Sequence, residues 1–260
     1  MAIITLTTDF GASEYVAQMK GVLLGIYPEA RIVDISHDIA QQSIIEGAFV
    51  MMSSVPHFRH AVHVGVVDPG VGGKRAPIVF HCEKGILVGP DNGLLVPAAE
   101  RLGLDACYEI TNPEATWISK DHEVSDTFHG RDIFAPVAAR LALGMKPRHV
   151  GPQKKRFVKL DIMKCRVSSN EATGLIVRVD RFGNVITNIP KAALKAKGIV
   201  EVSIGKTSYK AKAVHTYSDG KKGELLALAS SSGFIELSLR EGRASDRMGA
   251  VPGDKVRFEF

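Results

Sequence analysis

The densest cluster of chemistry-bearing side chains in the 260-residue chain is Thr127-Phe128-His129-Gly130-Arg131-Asp132. An imidazole within three residues of a guanidinium and a carboxylate can exchange a proton near neutral pH while its neighbours set its charge. A histidine beside a glycine can equally be a turn. Carboxylates also follow short apolar runs: Asp9 in Thr7-Thr8-Asp9-Phe10-Gly11, Asp34 and Asp38 around His37, and Asp68 at the head of a glycine-rich segment ending at Lys74-Arg75. A carboxylate so placed can accept hydrogen bonds from a ribose diol, bind a metal, or cap the next helix. The Gly70–Lys74 segment is not a phosphate loop, which needs four residues between its glycines and Ser or Thr after its lysine. His57, His60 and His63 fit no compact metal-ligand spacing. In the C-terminal half, Asp180-Arg181-Phe182-Gly183-Asn184 reads as a turn. It also reads as a site where a planar ligand stacks on Phe182, Asn184 bonds its edge and Asp180 holds a cation.

The elements that must position these groups fall into two textures. Up to about Val150, strand-like runs (Ile3–Thr8, Arg31–Ile35, Ala61–Val67, Ile78–Cys82) alternate with helix-like ones. Val16, Met19, Leu23 and Ile26 recur at helical spacing after Ser13, a candidate cap, and Ser43-Ile44-Ile45-Glu46 is a capping-box pattern. Gly85–Val88 pairs naturally with Ile78–Cys82, and Asn92–Leu102 and Ile133–Leu143 read as helices with Pro97 and Pro136 in their first turns. This alternation predicts an α/β domain over 1–150 with a mostly parallel, doubly wound sheet, whose ligand crevice lies outside the carboxyl ends of the strands. Residues 151–172 read as linker. From 173 to 260, seven short β-rich runs separated by Gly, Asp, Asn and Lys predict a small antiparallel barrel or sandwich.

Composition narrows the function classes. Hydrophobic residues make up 45% and charged residues 23% of the chain, which excludes wholesale disorder. No apolar run reaches the eighteen residues of a membrane span, and Asp9 comes too early for a signal peptide. Three dispersed cysteines, Cys82, Cys107 and Cys165, argue against a disulfide framework or thiolate zinc site. The expectation is a cytoplasmic protein with no membrane partner and no bound metal. The net charge of +5 is uneven: 12 basic against 17 acidic residues up to Val150, then 21 against 11. The basic residues of the second half are scattered and lack interleaved aromatics, which disfavours nucleic acid and suits docking of an acidic half against a basic one.

Five segments taken in order resemble the S-adenosyl-L-methionine hydroxide adenosyltransferases, hydrolase relatives of the fluorinase and chlorinase enzymes. They are Thr8-Asp9-Phe10-Gly11, Val67-Asp68-Pro69-Gly70-Val71-Gly72, Gly89-Pro90-Asp91-Asn92-Gly93-Leu94, Thr127 to Asp132, and Asp180-Arg181-Phe182-Gly183-Asn184-Val185-Ile186-Thr187-Asn188. The resemblance implies an α/β domain followed by an all-β barrel. It also implies a homotrimer with active sites between the first domain of one subunit and the second of the next. It further implies that S-adenosylmethionine is the small-molecule substrate, with no separate cofactor, and that Asp68, Arg75 and His129 form the water-using triad. Asp9 would bind the ribose hydroxyls, Thr127 and Phe128 would line the substrate pocket, Phe182 and Asn184 would contact adenine, Asp180 the methionine ammonium and Ser231 its carboxylate. Ser232 stands where the halogenases have arginine, and Gly130 where a serine is associated with fluoride.

The reaction so implied is in-line attack of water on C5′, giving adenosine and L-methionine, with Asp68 and His129 orienting the water and accepting its proton. The rivals are an adenosyl-halide synthase, a divalent-metal phosphohydrolase using Asp9, Asp68 and Asp91, and a non-catalytic S-adenosylmethionine, adenosine or RNA binder.

Overall fold

The computed structural model describes residues 2–195 and 198–260. The chain divides into two compact units, Met1–Leu160 and Asp161–Phe260. Among the described residues no helix is long and apolar enough to cross a membrane.

The first unit is built on six strands: β1 (Ile3–Thr8), β2 (Arg31–Ser36), β3 (Ala61–Val66), β4 (Pro77–Cys82), β5 (Gly85–Pro90) and β6 (Leu104–Glu109). They lie in the order β2-β1-β3-β5-β4-β6. The ladders β1–β2, β1–β3 and β3–β5 are parallel, as the strand–helix alternation predicts. The sheet is nevertheless mixed, because β4 runs antiparallel to both β5 and β6. The cause is local. Only Glu83 and Lys84 separate β4 from β5, and a connection that short can make a hairpin but not a crossover.

Helices cover both faces. Helix α1 (Glu14–Ile26) and helix α2 (Ile44–Ser54) follow β1 and β2, while α3 (Val96–Leu102), a single turn α4 (Pro113–Thr116) and α5 (Ala135–Ala142) come later. The pleat of β3 sorts the two sides. Val62, Val64 and Val66 join Met19 and Leu23 of α1 and Val137 and Ala138 of α5 in one core. On the opposite side, Gly65 has room only for hydrogen, since a Cβ there would lie 2.4 Å from Met51 Sδ of α2 and 3.0 Å from Leu95 just before α3. Ser13 holds the N-cap position of α1, but its hydroxyl makes no capping bond there. Only one arm of the capping box forms at α2. Ser43 Oγ accepts from Glu46 N–H (3.4 Å), whereas the Glu46 carboxylate accepts from Ala40 N–H (3.1 Å).

Residues 151–155 lie along β6: Glu109 N–H donates to Pro152 C=O (3.0 Å) and Lys154 N–H to Cys107 C=O (2.8 Å). The second unit begins with the short β7 (Arg166–Val167). It continues with β8 (Glu171–Val179), β9 (Val185–Pro190), β10 (Gly198–Ile204), β11 (Thr207–Ala213), β12 (Leu225–Ala229), β13 (Phe234–Leu239), helix α6 (Ala244–Met248) and β14 (Lys255–Glu259). The order β14-β10-β11-β12-β13-β9-β8 is closed by a β14–β8 ladder, making a seven-stranded barrel with β7 paired on the outside of the circuit. Inward residues such as Ile176, Val185, Val200, Val202, Leu237 and Phe258 fill it. Closure decides the alternative left open by the sequence in favour of the barrel, although not a wholly antiparallel one: β11 and β12 meet in a short parallel ladder at Lys212↔Leu226 and Ala213↔Ala227.

Candidate active site

Strand order places the crevice. Chain connections leave β1 toward β2 on one flank and reach β3 on the other, so the carboxyl ends of β1 and β3 form a switch point of the sheet. Asp9 and Phe10 follow β1 there, and Asp68 and Pro69 follow β3. A pocket of about 660 Å³ opens at this point, walled also by Tyr15, Gln18, Gln42, Thr127, Phe128 and His129. Asp9, Asp68, Thr127, Phe128 and His129 thus line one cavity, with Arg75 behind its wall, while Asp34, His37, Asp38 and Asp91 lie outside its lining.

Arg75 links Asp68 to His129. Its Nε lies 3.0 Å from each oxygen of Asp68, its Nη2 donates to Asp68 Oδ2 as well, and the same Nη2 lies 2.7 Å from His129 Nδ1. The Arg75 and Asp68 side chains are 9% and 5% exposed, so this ion pair is shielded from solvent. Arg75 also sits over the Phe134 ring, 5.4 Å from its centroid. A guanidinium has donors only and stays charged, so His129 Nδ1 must be the acceptor in this contact. The imidazole is therefore neutral with its proton on Nε2. Burial and then the Arg75 charge hold the His129 pKa below its ordinary value, against the opposing pull of Asp68, Asp132 and Asp126. In this tautomer His129 has a donor free at Nε2, while the Asp68 carboxylate has only acceptors.

The turn carrying His129 is fixed from below. Residues Gly130–Phe134 form one wide π-helical turn running into α5, with Pro136 in the first turn of that helix. Asp132 is fully buried at its start, accepts from Ser125 N–H (2.9 Å) and Arg131 Nε (2.6 Å), and lies 3.0 Å from His122 Nε2. Burial pushes this carboxyl up, but the hydrogen bonds and charges of Arg131, Ser125 and His122 outweigh it, and it titrates below the ordinary range. Asp132 is a structural anion that ties the 122–131 segment together. Phe128 packs edge-on against Phe10 (5.8 Å) and Tyr15 (5.1 Å), and Arg131 covers it at 5.0 Å. Thr127 Oγ1 is 3.1 Å from Ser125 Oγ at the rim.

Asp9 Oδ2 accepts from Gln42 N–H at 2.8 Å. Asp91, the third carboxylate of the phosphohydrolase alternative, is buried and accepts from Val158 N–H (2.8 Å). His63 is enclosed in the sheet with Nδ1 on Thr5 Oγ1 (2.8 Å), while His57 and His60 are exposed. No group of three His, Cys, Asp or Glu residues among those described could hold a metal ion.

In the second unit, Asp180–Asn184 is the loop joining β8 to β9. Asp180 Oδ1 accepts from the N–H groups of Phe182 and Asn184 (both 2.9 Å), and Oδ2 accepts from Asn184 Nδ2 (3.0 Å). Gly183 has φ +82°, and a Cβ there would strike Arg243. The turn thus explains Asp180, Gly183 and Asn184. It does not explain Phe182, whose ring is 75% exposed. Ser231 is exposed at the tip of the β12–β13 hairpin, next to the Pro190 end of β9, where Lys191 N–H bonds Gly233 C=O. It lies beyond the Phe234 end of β13, roughly 16 Å from the end nearest Asp180 at ~3.3 Å per residue.

Sequence reasoning missed Tyr15, Gln18, Gln41, Gln42 and Ser125 as pocket residues. Gln42 carried no sequence signal, since its positive φ of 62° is uncommon outside glycine.

Comparison with known proteins points one way. The family model described as SAM hydroxide adenosyltransferase N-terminal domain matches residues 4–151, and that described as the C-terminal domain matches 174–257. The (R)-S-adenosyl-L-methionine hydrolase of Salinispora tropica is 41% identical over 258 residues, covering 98% of this chain and 96% of the relative. That of Methanocaldococcus jannaschii is 38% identical, covering 99% and 96%. A fluorinase of Nocardia brasiliensis is more distant, at 26% identity over 91% and 89%. Among solved structures, an uncharacterized conserved protein from Thermotoga maritima superposes with a TM-score of 0.89 at 35% identity, covering 99% of this chain and all of its own.

Proposed function

Because the chain belongs to the SAM hydroxide adenosyltransferase family, we propose that the Asp68–Arg75–His129 constellation carries the family's reaction here, with Asp68 as base and His129 as donor. The enzyme hydrolyses S-adenosyl-L-methionine to adenosine and L-methionine. The observation behind the role assignment is the single guanidinium shared by Asp68 Oδ2 and His129 Nδ1.

The sulfonium leaves readily, so the barrier lies in presenting water in line with the C5′–S bond. Positioning of this kind contributes about 7–11 kcal/mol in favourable cases. A carboxylate of pKa ~4 cannot deprotonate free water of pKa ~15.7, so proton transfer follows C–O bond formation, once the water oxygen has become acidic. In the step, the C5′–O bond forms as the C5′–S bond breaks, with its electron pair going to sulfur. The water proton passes to Asp68 and on to solvent. His129 Nε2–H holds the water, and Arg75 keeps both partners in register.

Asp9 takes the ribose hydroxyls, and Thr127 and Phe128 wall the pocket beside them. The second unit supplies recognition, in a homotrimer where a neighbouring copy contributes it. The exposed Phe182 ring supports adenine stacking there. Asp180 has used three of about four acceptor sites on its turn and retains one for an ammonium proton. Asn184 bonds the adenine edge, and the methionine carboxylate falls to Ser231. Halide as nucleophile is disfavoured at Gly130, where a Cβ would come within 3.2 Å of Phe128 Cε2 and 3.3 Å of Met19 Sδ.

The test is turnover of S-adenosylmethionine in ¹⁸O-labelled water with and without halide. Labelled adenosine plus methionine, strongly reduced in Asp68→Asn, supports the reading. Wild-type turnover by Asp68→Asn removes the base from the mechanism.

A further inference from the structure

The wall of the pocket beside Asp9 is shaped by a residue outside the triad. Gln42, in the loop between β2 and α2, has φ 62°, and only two other described non-glycine residues share that sign. Its N–H donates to Asp9 Oδ2 (2.8 Å), and its C=O accepts from Ile44 N–H (3.0 Å). The loop around it is braced by Ser43 N–H on Ala40 C=O (2.9 Å) and by the Glu46 carboxylate on Ala40 N–H (3.1 Å). The same loop grips the Asp9 turn from its other side. His37 Nδ1 bonds Thr8 Oγ1 (2.8 Å), and His37 C=O accepts from Gly11 N–H (2.8 Å). Residues on both sides of Asp9, and one oxygen of its carboxylate, are thus held by residues 37–42. Strained backbone that persists at a pocket is held there by its surroundings and is often part of how the site is preorganised.

We propose that Gln42 is a positioning residue for Asp9, whose left-handed backbone aims an N–H at Oδ2 and so leaves Oδ1 turned toward the ribose hydroxyls. The proposal rests on the ribose-binding reading of Asp9. Its element is the main-chain N–H, so substitutions that keep this conformation and those that oppose it have opposite effects. Glycine adopts positive φ without strain, whereas a β-branched side chain there is a genuine outlier.

The experiment compares kcat and KM for S-adenosylmethionine and its 2′-deoxy analogue in the wild type, Gln42→Gly, Gln42→Ala, Gln42→Val and Asp9→Asn, with thermal melts in parallel. The wild type prefers the ribose substrate. Gln42→Val loses about tenfold of that preference, the scale of one hydrogen bond to a charged group, through KM rather than kcat. Gln42→Ala falls between, and serves if the valine variant does not fold. Gln42→Gly keeps the preference. A merely structural loop would depress both substrates equally. Retention of the preference by both Gln42→Val and Gln42→Ala overturns the proposal, as does equal loss in Gln42→Gly, which would assign recognition to the glutamine side chain. Retention of the preference by Asp9→Asn would instead overturn the ribose reading beneath it.

Discussion

Replacing Arg75 by lysine isolates what the shared guanidinium does. The fork reaches both oxygens of Asp68 through Nε at 3.0 Å and reaches His129 Nδ1 at 2.7 Å through Nη2. Lysine keeps the positive charge but presents one ammonium on a flexible stem, which cannot span both partners. If it stays with Asp68, the bond to His129 is lost. A hydrogen bond involving a charged group contributes about 1.5–3 kcal/mol, or roughly 10- to 150-fold in rate at ~1.4 kcal/mol per decade. Since the loss concerns orientation of water and not of substrate, it should fall on kcat with KM nearly unchanged. The assay is chromatographic release of adenosine and methionine under saturating substrate, beside a thermal melt. Arg75→Met provides the contrast. It strands a carboxylate that is only 5% exposed, so the expected result is loss of stability by about 3–5 kcal/mol as well as activity. A folded Arg75→Lys enzyme with wild-type kcat would refute the argument that one guanidinium must serve both residues.

The remaining predictions address other features. With the His129 pKa held below its ordinary value, kcat/KM should stay flat through neutral pH and fall only below pH 6.5, as protonation of Nδ1 sets imidazolium against Arg75; a limb above pH 7 assigned to His129 by its loss in His129→Gln would contradict the tautomer. Gly130→Ser should lower kcat/KM by displacing Phe128, without adenosyl-halide appearing in halide buffers, as read by mass spectrometry. His63 is buried, with a pKa lowered to about 4 by desolvation. Its folded value lies below the unfolded ~6.5, so the stability it confers is complete above pH 6.5 and is lost progressively as pH falls toward 4, by about 3 kcal/mol in all. Denaturant unfolding at pH 7.5 and 4.5 should show this drop in the wild type and a smaller one in His63→Gln. Ammonium and carboxylate share one carbon in methionine, while Asp180 and Ser231 flank opposite ends of β9. Asp180→Asn should therefore raise KM more than Ser231→Ala, and the reverse order would shift the amino-acid end toward the β12–β13 hairpin.

Much of this was legible because a carboxylate follows each strand of the crevice within two residues, Asp9 after β1 and Asp68 after β3. Hydrophobic patterning marked Ile3–Thr8 to the residue and Ala61–Val67 to within one, and the carboxylates after them fell into place. The seven barrel strands were also legible as short runs between turn residues. Leu104–Glu109 was not, since Asp105 and Glu109 interrupt its apolar residues and its pairing with β4 compensates for that weak pattern. In the site, residue types were readable and donor roles were not. Nothing in His129 as a letter tells which ring nitrogen meets Arg75, and that contact spans 54 residues. Gln42 escaped notice because its contribution is a main-chain N–H, and backbone groups are the same at every non-proline position.

The reversal of β4 has a consequence for where Arg75 can be. Arg75 comes just before β4, and the start of a strand in an all-parallel sheet lies on the rim opposite its neighbours' carboxyl ends. Here Pro77 pairs with Pro90, so the first residue of β4 stands beside the last of β5. One backward strand brings a cation that precedes it to the same rim as an acid that follows β3, within a single excursion of the chain. Acid and cation then form a cassette whose two ends are anchored by sheet topology and whose middle packs on the pocket, with Gly72 set tight against the Asp126 backbone. A sheet with β4 turned parallel would have to draw its guanidinium from elsewhere.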